Sequence, residues 1–364
     1  MARARTIDAR VPITHVMAFH EYNVDLAAIV AADLGLPFHD VETVRSVRDK
    51  HRMRQLLDAA DSPRWAVATD EESLRRAVVS TGLPCIVKPR DGSGSDGVGL
   101  LGSLHDAGRL SHPLLVEQLL RGREVSVEAF SEGGVHKVVG VTAKHQFAGS
   151  LVEEGHMFPL LLDPVDHEAV GEVVRRTLST LGVSSGPSHT EVFLTGSEPV
   201  VVETHLRAGG DRIPEMVQDV TGTSLVDLWI RQCLGERILD EVPEVSPGTD
   251  HHPTYSATWY RGANATAILA GVGDLRSVVA QHRAAGLDVR SLELRVSVGD
   301  VVRVPTRSGD RLLVGRACAA SPDAAREAAR ALVAAVPVEL VTSELAPSVT
   351  SHGSRTAASE EPSV

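Results

Sequence analysis

The chain is short of cysteine, of long apolar runs and of positive charge, and each shortage excludes a class of protein. Its three cysteines, Cys85, Cys233 and Cys318, lie far apart. They form neither a disulfide framework nor a zinc-ligand spacing. No apolar run approaches the roughly 20 residues that a membrane-crossing helix needs. The start, Met1-Ala2-Arg3-Ala4-Arg5, is not followed by a hydrophobic segment and does not read as a signal peptide. Lys and Arg number 36 against 48 Asp and Glu, a net charge of −12. That argues against a nucleic-acid surface, which requires a clustered basic face. The pattern G-x-x-x-x-G-K-[ST] is missing, so this is no P-loop protein. A cytoplasmic protein without membrane or nucleic-acid partners is expected, and 364 residues are enough for a large core divided into two or three domains.

What is present centres on two glutamates. Glu191-Val192-Phe193-Leu194 and Val200-Val201-Val202-Glu203 are β-rich arms around the turn Thr195-Gly196-Ser197-Glu198-Pro199. With Ser197 at the loop centre, Glu191 and Glu203 lie directly opposite each other. Opposed residues on one face have Cβ atoms roughly 4.5–5.5 Å apart, and like charges there destabilise a sheet. Either a divalent cation compensates, since carboxylate oxygens suit an ion that also holds phosphates, or the hairpin is solvated and tolerates the repulsion. Arg207 follows four residues after Glu203, ahead of Gly209-Gly210. Its fork pairs well with phosphate oxygens; the alternative is a salt bridge to Glu191 or Glu203. The neighbours favour a metal-phosphate site.

A second signal lies upstream. The apolar strand Cys85-Ile86-Val87-Lys88 leads into Gly92-Ser93-Gly94-Ser95-Asp96-Gly97-Val98. These glycines satisfy G-x-G-x-x-G, but that fingerprint requires a helix to open at the third glycine. Here Val98-Gly99-Leu100-Leu101 continues as a strand, so the unit reads as strand, loop, strand. A mobile glycine loop over a triphosphate, with Lys88 as counter-charge, fits better than a dinucleotide site.

Taken together, the motifs resemble those of ATP-grasp carboxylate–amine ligases, and most closely the L-amino acid ligases that make dipeptides. Asp49-Lys50 and Val87-Lys88 resemble the two phosphate-binding lysine segments, and Val116-Glu117-Gln118-Leu119-Leu120 the hinge that receives adenine. Glu124 resembles the ribose-binding acid. Glu153-Glu154-Gly155-His156 resembles the substrate-side motif, and the segments Gly186–Glu191 and Glu203–Asp211 resemble the metal and acyl-phosphate segments. Seven such elements stand in family order between Lys50 and Asp211.

The resemblance implies an α/β (α+β) ATP-grasp fold with a truncated N-terminal α/β unit, a mobile lid and a C-terminal subdomain. It implies ATP held by Lys50, Lys88, Gly92, Ser93, Gly94, Ser95, Gly97, Val98, Glu117, Gln118, Leu119 and Glu124. Mg²⁺, with Mn²⁺ as an alternative, would sit on Glu191, Glu203 and His205. His205 stands where such enzymes commonly carry glycine or asparagine; it either replaces a metal ligand, bonds a phosphate or fills space. Glu153, His156, Arg207, Gly209 and Gly210 would hold the substrate, with Lys88 and Arg207 acting in catalysis. Three residues apart, Glu153 and His156 would come to one side on a turn or short helix; the alternative is a local hydrogen bond between them that caps a loop. The implied reaction activates a carboxylate as an acyl phosphate and joins it to an amine. A biotin-carboxylase-like carboxylase and a non-catalytic ATP-binding module are the rival readings, and a homodimer is among the implied assemblies.

The expected organisation is a remnant unit over 1–46, with one strand at Ile13–Phe19 and one helix at Val24–Leu34. Either the true start lies further upstream or this domain is reduced. An ATP-grasp core over 47–245 follows, with its lid at 75–114. Residues 246–340 are expected to form a C-terminal α/β subdomain, with a strand at 254–260 and a helix opened by Ser321-Pro322-Asp323. A disordered tail over 341–364 completes the chain. Of the other histidines, His145 and His189 fall inside the motif segments and are candidates to line the site, whereas His251-His252 read as a solvated turn.

Overall fold

A computed structural model describes residues 1–92, 94–103, 113–196, 198–247 and 254–341. The chain begins with four helices, α1 (Ala2–Asp8), α2 (Val24–Leu34), α3 (Val41–Arg48) and α4 (Lys50–Leu56). Helix α2 forms where expected because Val24, Ala27, Ala28 and Ala31 recur at helical spacing and are buried. The expected strand at 13–19 does not form. That segment has no ladder partner and runs as irregular chain into the 3₁₀ turn Glu21–Asn23.

A small sheet follows, built from β1 (Trp65–Ala68), β2 (Cys85–Pro89), β3 (Gly99–Leu101) and β4 (Leu114–Gln118) in the order β1-β4-β2-β3. Helix α5 (Glu71–Thr81) covers one face. Asp70 and Ser73 cap it reciprocally, and Leu74, Ala77 and Val78 pack on Val87 and Val116. The unit starts at Trp65, earlier than the 75–114 range expected for a lid. The strand–loop–strand reading of the glycine segment holds, since β2 pairs with β3 antiparallel and no helix opens after Gly97.

The rest of the chain is organised on one large sheet. Its strands and helices run β5 (Arg123–Glu132), β6 (Val135–Gln146), β7 (Glu153–Phe158), α6 (Pro164–Thr180), β8 (Ser185–Leu194), β9 (Val200–His205), α7 (Ile213–Thr221), α8 (Leu225–Cys233), β10 (Tyr255–Arg261), β11 (Ala267–Val272), α9 (Leu275–Ala284), β12 (Asp288–Leu294), β13 (Val301–Val302), β14 (Leu313–Ala319), α10 (Pro322–Ala334) and β15 (Val338–Val341). Eight strands form the order β12-β14-β10-β7-β6-β5-β8-β9, and β13-β11-β15 make a third sheet.

On one face, Val170, Val173, Val174 and Leu178 of α6 share a core with Val125, Val127, Val192 and Val201. On the other, Phe130, Val139 and Phe158 meet α7 and α8 through Ile213, Met216, Leu228 and Trp229. Each such side chain contributes roughly 1.5–3 kcal/mol on burial, so the β5–β8–β9 region is anchored from both sides. That anchoring fixes the carboxylates that β8 and β9 carry. The C-terminal elements match expectation closely. Strand β10 begins at Tyr255, and the Ser321 hydroxyl caps α10 by accepting from the Ala324 N–H. His251-His252, residues 342–364, Ser93 and the loop centre Ser197 lie outside the described residues.

Candidate active site

Two cavities meet along the β8–β9 hairpin. The first, about 330 Å³, opens between the small and large sheets. It is lined by Lys50, Lys88, Gly92, Gly94, Ser95, Val98, Glu117, Gln118, Leu119, Glu124, Glu191 and Glu203. The second, about 860 Å³, contains Glu153, His156, His205, Arg207, Gly209 and Gly210. Gly94, Glu153, Glu191 and Glu203 line both. The residues expected to bind nucleotide and those expected to bind substrate therefore fall into two adjoining spaces with the glutamate pair at the junction. Gly97 lines neither. It adopts φ +74°, and a Cβ there would lie 2.8 Å from the Pro89 ring, so it serves the turn.

The register places Glu191 opposite Glu203. A β-bulge directly after this pair shifts the hairpin, which then closes with Val192 opposite Val201. Each carboxylate is matched by a lysine: Lys144 Nζ lies 2.8 Å from Glu191, and Lys50 Nζ lies 2.8 Å from Glu203. Burial alone would raise both carboxyl pKa values. Lys144 and His189 together outweigh burial at Glu191, and Lys50, His205 and Lys88 together do so at Glu203, so both sit well below the usual range. They are ionised.

Lys144 has no counterpart in the sequence reading. Its side chain is only 3% exposed, yet it contacts three carboxylates, Glu124, Glu153 and Glu191. Burial opposes its charge, but these three acids overcome that and raise its pKa well above the usual lysine value. One cation cannot satisfy three anions. Glu124, covered and facing Glu191 and Glu153 as well as Lys144, is accordingly pushed up to about 7.

The nucleotide side carries a buried ion cluster. The Glu117 carboxylate joins Arg54 Nε at 2.7 Å and Lys88 Nζ at 2.6 Å. Its side chain is thus engaged by cations, which leaves backbone groups for any base contact. Burial lowers the Lys88 pKa despite Glu117. Lys50 donates to the Gly92 carbonyl, tying the first lysine segment to the glycine loop.

His205 is held between two carboxylates. Its Nε2 is 3.2 Å from Glu203 and its Nδ1 is 2.9 Å from Glu21, a close ion-pair contact without hydrogen-bond alignment. Burial disfavours the imidazolium, but Glu21 and Glu203 prevail and raise its pKa. The ring thus lies between two carboxylates, next to the glutamate pair. Arg207 Nε pairs with the same Glu21 at 2.9 Å, not with Glu191 or Glu203. Arg48 completes the cluster on Glu21 at 3.0 Å. Glu21 was missed because it stands 186 residues from Arg207 in a segment with no motif.

Glu153 and His156 share the second cavity, though not through a turn or helix. They lie on β7, where three-residue spacing normally points side chains to opposite faces. A β-bulge opposite His145 and Gln146 inserts one residue and turns Glu153 toward Lys144. The pair makes no mutual bond: His156 Nε2 lies 3.0 Å from Asp211. His189 also lines the cavity, held by Glu128. Burial opposes its charge, but Glu128 raises its pKa to about 9. Glu128 additionally accepts the Gly209 N–H at 3.0 Å. His145 lies elsewhere, tilted against Trp259.

Known proteins share features with this arrangement. Residues 105–215 match the ATP-grasp domain model. The chain is 28% identical over 313 residues to the uncharacterised protein y4rH of Sinorhizobium fredii, covering 79% of this chain and 63% of that protein. It is 25% identical over 252 residues to alanine–anticapsin ligase of Bacillus subtilis, covering 58% of this chain and 53% of the ligase. The chain thus spans between half and two thirds of the length of these relatives. The crystal structure of L-amino acid ligase from Bacillus licheniformis superposes with a TM-score of 0.79 at 20% identity, over 92% of this chain and 83% of the ligase. No helix among the described residues is long and apolar enough to cross a membrane. The chain carries an ATP-grasp domain and has the ATP-grasp fold, and its resemblance to the carboxylate–amine ligases of that superfamily is borne out.

Proposed function

We propose that this protein uses ATP to activate a carboxylate, most simply that of an amino acid, as an acyl phosphate and joins it to an amine. The observation that carries the reading is the Glu191–Glu203 pair, in direct register where the two cavities adjoin, with a lysine on each side. A γ-phosphoryl group passing from one cavity to the other crosses this point.

The donor set fits Mg²⁺. Among the described residues no group of three or more His, Cys, Asp or Glu could hold a metal alone. Two facing carboxylates suffice for an ion that takes its remaining ligands from phosphates and water. When bound, Mg²⁺ would offset charge on the phosphates. The chain's own residues do the rest. Lys50 and Lys88 supply positive charge on the nucleotide side, and Gly92 and Gly94 let the backbone approach the phosphates. Arg207 faces the second cavity to pair with the transferring group. A carboxylate oxygen attacks the γ-phosphorus and ADP leaves. The amine then attacks the acyl carbon, phosphate leaves with that oxygen, and the amine gives up a proton. Such transfer depends on positioning and electrostatic stabilisation. Glu153 and the His156–Asp211 unit line the substrate side, and the likeness to alanine–anticapsin ligase and L-amino acid ligase supports an amino-acid substrate.

The test is ADP release with a panel of amino acids and with bicarbonate, followed by mass spectrometry of products. Amino-acid-dependent release with a condensed product is expected. Release stimulated by bicarbonate alone would replace the reading with a carboxylase, and ATP binding without turnover would replace it with a non-catalytic module.

A further inference from the structure

A turn in the C-terminal part of the chain touches both loops of the site. It runs from Thr306 to Arg311 and is held internally by Asp310, which accepts from the Thr306 N–H at 3.1 Å and from its hydroxyl at 2.9 Å. At one end, the Ser308 N–H donates to the Gly94 carbonyl at 3.2 Å. Arg307 lies 3.8 Å from Asp96, an exposed pair of little strength. The turn therefore docks on the glycine loop mainly by a backbone hydrogen bond.

At its other end the same turn grips the segment after Arg207. Arg311 is 1% exposed. Its Nε donates to the Ser308 carbonyl at 2.9 Å, and its Nη1 to Asp211 Oδ2 at 2.7 Å. Its Nη2 reaches Asp211 Oδ1, closing a bidentate fork, and its guanidinium lies 3.7 Å over the Tyr260 ring. Tyr260 donates its hydroxyl to Asp211 at 3.1 Å, and His156 binds Asp211 from the third side. Asp211 and Arg212 both adopt left-handed φ, 53° and 65°. Non-glycine residues hold that conformation only where surrounding contacts fix it. Here the contacts are those on Asp211.

We propose that Arg311 is a positioning residue, and that its turn ties the glycine loop over the nucleotide cavity to the Arg207–Arg212 segment of the substrate cavity. Ordering of one loop is thereby transmitted to the other. The inference rests on the nucleotide reading above and adds a coupling between the two cavities. Coupling of this kind is reciprocal, so nucleotide binding prepares the substrate side.

Hydrogen exchange in the full-length protein tests this, with the non-hydrolysable analogue AMP-PNP and Mg²⁺ as the probe. Three variants are informative: Ser308→Pro, Arg311→Leu and Arg311→Lys. Ser308 opens a 3₁₀ turn after extended Arg307, φ −153° and ψ 162°, a backbone that accepts proline at the next position. The substitution removes the donor and puts a ring carbon where the Gly94 oxygen docks. In the wild type, AMP-PNP should slow exchange at both 94–99 and 207–212 by about tenfold. In Ser308→Pro and Arg311→Leu it should still slow 94–99, but change 207–212 by less than about twofold. Arg311→Lys should recover part of the response, and kcat should fall more than the ATP KM rises. Full transmission to 207–212 in Ser308→Pro overturns the proposal even if Arg311→Leu fails to fold. No slowing anywhere in the wild type overturns the nucleotide reading itself, and the coupling with it.

Discussion

Glu191 and Glu203 face each other across the β8–β9 ladder, and each is matched by its own lysine, Lys144 and Lys50, both at 2.8 Å. Two like charges in direct register would destabilise a hairpin. The lysines offset the repulsion and help to hold both carboxyl pKa values well below the usual range. A chain arranged this way can hold its anionic pair before any cation arrives.

Lys144 is then the residue whose loss should be felt most in stability. It alone joins Glu124, Glu153 and Glu191. Lys144→Met should cost about 3–5 kcal/mol, the range for breaking a buried ion pair. Adding Glu124→Gln should recover part of that, because one uncompensated charge is removed. Urea unfolding of the single and double variants measures it. Additive destabilisation in the double variant would contradict the shared-cation account.

The glutamates themselves should matter for turnover and much less for folding. Glu203→Ala is expected to lower ATP turnover by about a thousandfold, the scale of losing one element of electrostatic stabilisation, with an unchanged far-ultraviolet spectrum. Retention of near wild-type turnover would remove Glu203 from the metal-binding role.

Gly209 offers a steric test. A Cβ there would lie 2.9 Å from both Glu128 oxygens and 2.9 Å from His189 Nδ1. Both side chains are buried and bonded to each other, so neither swings away. Gly209→Ala should destabilise by about 1–3 kcal/mol and slow turnover by about a hundredfold through displacement of neighbouring Arg207. A thermal midpoint and kcat both equal to wild type would show that the segment is not confined as described.

Acid sensitivity should trace in part to His39, outside the site. It is 5% exposed, and burial lowers its pKa from 6.5 to about 4. The folded ring stays neutral, whereas the unfolded chain gains a proton below 6.5. The unfolded state thus binds more protons in this window, and stability falls as pH is lowered from 6.5 toward 4. The full effect is on the order of 3 kcal/mol. Comparing urea midpoints at about pH 7.5 and about pH 5 should show a smaller drop for His39→Asn than for wild type. Equal drops would sink the assignment.

Local patterns made much of this legible. Turn residues placed on Ser197 predicted the Glu191–Glu203 register, and glycines after Val98 ruled out a dinucleotide helix. Serine followed by proline marked the start of α10. Contacts between distant segments were not legible. Lys144 stands in a strand between Ala143 and His145 and drew no role of its own, since its three partners come from β5, β7 and β8. Glu21 precedes every recognised segment, so its capture of Arg207 and His205 could not be read. The same lack of long-range information hid the setting of His205 between two carboxylates. The β7 bulge was equally invisible, and only through it do Glu153 and His156 share a cavity.

Carboxylate activation by ATP leaves an isotopic signature that no other reading shares. When an amino acid labelled with ¹⁸O in its carboxylate is supplied with ATP, Mg²⁺ and an amine, the oxygen that attacks the γ-phosphorus leaves with the phosphate. One ¹⁸O atom in each inorganic phosphate, formed in step with ADP and the condensed product, is the predicted result. Unlabelled phosphate accompanying the same product, or AMP and pyrophosphate in place of ADP and phosphate, would contradict acyl-phosphate formation at the Glu191–Glu203 junction.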